Sequence, residues 1–147
     1  MLDQQQKNRA MFEGLVYNEA GEPARVVIIG EEAHYAIPDD GFLRHVQAQQ
    51  VDDAVIAHMK ERILPMQDEL VQAMLQMLGK DDIFTKAALD ASVRNIDQQI
   101  RQTNPDQWIP WLRLYGFRII VDVHGQVVDI LYPSGAIGEE GEGDDDL

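Results

Sequence analysis

From Val55 the apolar residues return at Met59, Ile63, Met66, Leu70, Met74 and Met77, which is 22 residues in six steps. The mean step of about 3.67 lies close to the helical period, so this stretch reads as helix with one apolar seam. The helix should cover roughly Gln47 to Leu78. Pro65 interrupts it. Proline has no backbone N–H and its ring clashes one turn back, so the spacing predicts a kink or two abutting helices. Gly79 is placed as a C-cap, and Asp81 or Asp82 as the N-cap of a second helix reaching about Gln102. The seam of that second helix is Leu89, Val93, Ile96 and Ile100. Its surface pairs, Lys86 with Asp90, Asp90 with Arg94 and Asp97 with Arg101, each support a helix by ~0.2–0.5 kcal/mol. So short a connection implies an antiparallel helical hairpin.

The flanking sequence has a different period. "LVY" runs into "NEAGEP", a turn cluster with Gly21 and Pro23. "ARVVIIG" is rich in β-branched residues, and the alternation in "AHYAI" puts Ala33, Tyr35 and Ile37 on one face with His34 on the other. These segments read as a three-stranded antiparallel meander. After the helices, "TNPDQWIPW" breaks the pattern with Pro105 and Pro110. "FRIIVDVHGQVVDILY" then reads as a hairpin about a two-residue His124-Gly125 turn, with positive φ at His124. That register sets Val121 against Val128, Ile119 against Ile130 and Phe117 against Tyr132, all on one buried face. The expected fold is α+β. A mostly antiparallel sheet of about five strands, from the meander and the terminal hairpin, accompanies a central antiparallel helical hairpin.

Composition limits the chemistry. The chain has 147 residues and no cysteine. Disulfides, thiolate catalysis and cysteine-ligated metals are excluded, and a cytoplasmic protein is the simplest reading. Net charge is −14, with six acids among the last nine residues. Nucleic acid and anionic membranes are therefore unfavourable partners, since both are held through Lys and Arg. Residues 1–137 read as one domain and 138–147 as a disordered acidic tail, too poor in apolar residues to offset its ordering entropy.

Catalytic motifs are scarce. The two serines, Ser92 and Ser134, stand outside any nucleophile elbow, and no phosphate-binding glycine loop or H-E-x-x-H pair occurs. "IPDDGFLRH" is explained by a strand-to-helix corner at Pro38 and Gly41. Its alternative reading has His34, Asp39, Asp40 and His45 converging on a divalent metal in a small hydrolase. His58 reads as a partly buried histidine at the edge of the helical core. The methionine-rich seam reads as core filled by adaptable thioethers, or as a pliable docking surface at Met59, Met66, Leu70, Met74 and Met77. A helical hairpin of this length outreaches a small sheet, and a second copy of the chain is the simplest cover for the surplus. The expectation is thus a non-catalytic protein without a cofactor. It forms a homo-oligomer, a dimer first, and binds another protein through the hairpin. Acidic inhibition of a basic partner is a further alternative.

Overall fold

The computed structural model describes residues 9–132. The tail expected from about Gly138 lies outside them. The chain divides into two compact units, Met1–Val55 with Asn104–Leu147, and Ile56–Thr103. The second is a helical unit placed, in sequence, inside the first. No helix among the described residues is long and apolar enough to cross a membrane.

The sheet unit contains β1 (Val16–Asn18), β2 (Arg25–Ile29), β3 (Glu32–Asp39), β4 (Phe42–Gln47), β5 (Arg118–Val121) and β6 (Val127–Leu131). They form two three-stranded sheets, β2-β3-β4 and β1-β5-β6, in place of one sheet of about five strands. Two local causes account for the difference. Asn18 curls the chain after β1: its Oδ1 accepts from the backbone N–H of Ala20 and Glu22, and its Nδ2 donates to the Pro38 carbonyl. Pro23 cannot donate to a ladder, so β1 meets that segment only in the single bridge from Tyr17 to Pro23. Strand β1 instead pairs in parallel with β5, Val16 opposite Ile119. The second cause is Asp40-Gly41. Both take positive φ, 55° and 91°, the backbone of a two-residue hairpin turn. The expected strand-to-helix corner is therefore a reversal into β4, which supplies the third strand of the meander.

The terminal hairpin forms as expected, with Ile119 opposite Ile130, but a bulge shifts Val121 onto Val127. The turn is longer than two residues. Asp122 Oδ1 accepts from the N–H of both His124 and Gln126, and the Gly125 N–H donates to the Asp122 carbonyl. Positive φ falls on Gly125 and not on His124. An extra residue on one side of the turn is what displaces the register and leaves Val128 exposed.

The core of this unit includes Phe12, Leu15, Tyr35, Ile37, Val51, Val55, Phe117, Ile119 and Val121. As the alternation implies, Ala33, Tyr35 and Ile37 are all buried. Phe12 packs its ring on Trp108 and Phe117, with centroids 5.7 and 6.3 Å away. The buried Tyr35 hydroxyl donates to Asp52 Oδ1 at 2.7 Å and accepts from the Phe12 N–H at 3.2 Å. Asp52 Oδ2 accepts from the Met11 N–H at 2.9 Å. Burial first, and the Asp52 carboxylate second, push the Tyr35 phenol well above its ordinary pKa.

Helix α1 (Ala48–Ile63) begins in the sheet unit and ends in the helical one. Pro65 does break the long helix: a 3-10 turn at Leu64–Met66 separates α1 from α2 (Gln67–Leu78). Gly79 caps α2 in the left-handed region at φ 69°, and the Lys80 N–H reaches back to the Leu75 carbonyl. Asp82 caps α3 (Ile83–Arg94), accepting from the Thr85 N–H and hydroxyl. Asn95 then separates α3 from α4 (Ile96–Arg101). Val71, Leu75 and Val93 form the closed core, bordered by Ile63, Leu64, Leu70 and Leu89. The buried pair of α2 thus lies one residue beyond the expected Leu70 and Met74. The 3-10 turn has three residues per turn, so it rotates the apolar seam that a continuous 3.6 period would carry through.

Candidate functional site

The connection "MLGKDDIF" joins the two arms of the helical hairpin. Leu75 is the last buried residue of α2, and Val93 is the first of α3. Between them, from Gln76 to Phe84, every residue is exposed. Met77 is 86% exposed, Leu78 56%, Ile83 73% and Phe84 83%. Capping explains why the chain turns here: the Gly79 and Asp82 caps satisfy backbone groups that the helix ends leave unpaired. Neither cap buries the four large side chains beside it. All four stand within one helical turn of the connection, at one end of the hairpin.

The hairpin behind this end is tied by polar contacts. Gln67 Nε2 donates to Asp90 Oδ1 at 3.1 Å, Lys86 Nζ lies 2.9 Å from Asp90 Oδ2, and Lys60 Nζ lies 3.2 Å from Asp97. Asp90 is held below the ordinary carboxylate range by Lys86 and then by Gln67. Asp82 is lowered by the Thr85 hydroxyl and then its N–H. For Asp97, burial is the largest single influence and works upward, but the hydrogen bond and charge of Lys60, with backbone N–H groups, together outweigh it and hold the carboxyl below its ordinary value.

Of the expected docking residues, Met59, Met66, Leu70 and Met74 are half-buried and Met77 is exposed. Of these five, Met77 alone is among the large exposed apolar side chains at the connection, where Leu78, Ile83 and Phe84 join it. The sequence carries this arrangement locally, as large apolar residues on both sides of a Gly-Lys-Asp-Asp connection. His58, expected at the core edge, is exposed.

The expected metal ligands are spread along the β3-β4 hairpin. His34 stands opposite Gln47, and His45 opposite Ala36, on one face of the pair. Asp39 lies on the other face and Asp40 in the turn. Five residues of strand separate His34 from Asp39, ~17 Å. His34 Nδ1 lies 3.0 Å from the Glu32 carbonyl oxygen, and Asp39 pairs with Arg44 at 2.8 Å. Among the described residues, no group of three or more His, Cys, Asp or Glu could hold a metal ion.

The sheet unit offers a second surface. An open cleft of about 610 Å³ is bounded by the Asn18–Glu22 turn and the Pro38–Leu43 hairpin tip. Glu19, Glu22, Asp39 and Asp40 stand around it, with exposed Phe42 and Leu43. No protein-family model, curated protein or solved structure matches this chain.

Proposed function

We propose that this chain is a non-catalytic cytoplasmic protein that works by contact with other protein chains. Its working surface is the end of the helical hairpin. The observation that carries this reading is the exposure of Met77, Leu78, Ile83 and Phe84 together at one end of a unit that buries four apolar side chains, Ile56, Val71, Leu75 and Val93. Burial of large apolar side chains drives most protein association, and aromatic residues and methionine are enriched at interface cores. Native mass spectrometry of the protein purified gently from its host tests the reading. Masses above one 16.6 kDa chain are expected, and Phe84→Asp should reduce them to one chain. A single-chain mass for the parent in every preparation sinks it.

A second reading rests on charge. The helical unit holds six Lys/Arg against seven Asp/Glu, so of the net −14 the rest of the chain carries −13. Such a chain would attract a cationic partner electrostatically, with the acid-lined cleft as the point of contact. Titration with a poly-lysine peptide at low and high salt tests it. Binding that survives high salt unchanged, or that ignores Asp40→Lys, removes the reading.

A further inference from the structure

We infer that the occupant of the hairpin end is a second copy of this chain, the two copies meeting end to end about a two-fold axis. The inference rests on the contact reading above and adds the partner. Its ground is the charge pattern at the apolar end. Between Met77 and Lys86 stand Lys80, Asp81, Asp82 and Lys86, two of each sign. Asp82 is engaged with Thr85 and Lys86 with Asp90 inside the same hairpin. Lys80 and Asp81 are adjacent and exposed at the tip. A two-fold interface is self-complementary, so that residue i meets j and j meets i. Adjacent opposite charges satisfy that rule: Lys80 of one copy faces Asp81 of the other, twice. Elsewhere, like-charge repulsion opposes the approach of two chains that each carry −14. The helical unit, at net −1, is where that repulsion is weakest. A basic partner would be drawn to the sheet unit instead. Four apolar side chains per copy make a small interface, so the dimer should dissociate at concentrations on the order of micromolar.

The test is a charge exchange followed by sedimentation velocity over a concentration series. The parent is expected to pass from one chain to two. Lys80→Glu and Asp81→Lys should each weaken self-association by roughly 2- to 30-fold, since every exposed pair carries a factor of about 1.5 to 5 and the axis doubles it. Mixing the two variants should restore the dimer. In the mixed pair, one copy presents two acids at the tip and the other two lysines, so both contacts again join opposite charges. Trp108 and Trp111 both lie in the sheet unit, so their fluorescence reports that its fold is intact in each variant. A parent that stays single at every concentration overturns the second-copy inference. So does a dimer that Phe84→Asp dissociates but the mixture does not restore. If a foreign chain accompanies the parent and is lost in Phe84→Asp, the contact reading stands and the second copy is wrong. A dimer indifferent to Phe84→Asp overturns both.

Discussion

The sheet unit buries Phe12, Tyr35, Ile37, Phe117 and Ile119 from several separate segments of chain, while the helical unit buries only Ile56, Val71, Leu75 and Val93. The sheet unit carries nearly all of the net charge, and the helical unit is almost neutral. The difference teaches where this molecule has reached its limit. The sheet unit closes its core from several segments, yet it too leaves large apolar side chains exposed, Phe42, Leu43, Trp111 and Leu114 among them. The helical unit gathers its exposed large apolar side chains, Met77, Leu78, Ile83 and Phe84, at one connection, where a net charge near zero opposes a partner least.

The strongest way to break this contrast is Leu75→Ala. Loss of a buried leucine costs about 3 kcal/mol, and a core this small has few neighbours to collapse into the gap. Helical circular dichroism should fall while tryptophan emission holds. If both are lost together, the units are not separately stable. The sheet unit has its own weak point in Asp52→Ala, which leaves the buried Tyr35 hydroxyl without its acceptor and frees the Met11 N–H. A cost of about 2–3 kcal/mol is expected in urea unfolding followed by tryptophan fluorescence. The Tyr35 shift adds a pH signature. Its folded pKa is raised, so its contribution is present below the ordinary phenol value, about 10, and is lost as pH rises above it. Tyr35→Phe should remove that alkaline loss.

Gly125→Ala is a smaller perturbation. The residue has φ 82°, and an added Cβ would lie 2.9 Å from both Val46 methyls. A loss of about 1–2 kcal/mol is expected, confined to the tryptophan-reported transition. The mildest test sharpens the contrast from the acid side. Asp82, Asp90 and Asp97 all have lowered pKa values and all lie in the helical unit. Their contribution is complete above the ordinary carboxylate value, about 4, and is lost as pH falls through the lowered ones. An acid titration should therefore reduce helix content before tryptophan emission changes. The reverse order would refute the assignment.

Local chemistry made much of this readable beforehand. Pro65, Gly79 and Asp82 each act within one turn of chain, and each does what its stereochemistry requires. The Lys86–Asp90 pair and the alternation of Ala33, Tyr35 and Ile37 follow from single periods. What escaped reading depends on phase or on distance. The 3-10 turn moved burial from Leu70 and Met74 to Val71 and Leu75. One bulge moved Val121 from Val128 to Val127. The pairing of Val16 with Ile119 joins strands from opposite ends of the chain, which no local pattern announces. Strand β4 is different, because Asp40-Gly41 is a strong hairpin signal that outweighs the helix entry implied by Pro38 and Gly41. The hairpin end escaped because Ile83 and Phe84 look like an ordinary helix start, and only the structure shows both largely exposed among the described residues.

The parallel pairing of β1 with β5 has a consequence for synthesis. A ribosome makes β1 early and β5 late, with the whole of Ile56–Thr103 between them. The helical unit is complete in the nascent chain before the β1-β5-β6 sheet can close. Until then the apolar side of β1 has no strand beside it, and exposed strand edges on partly made chains invite aggregation. The interval between the emergence of Asn18 and that of Val121 is therefore when a newborn chain of this sequence is most exposed to misassembly and most in need of a chaperone.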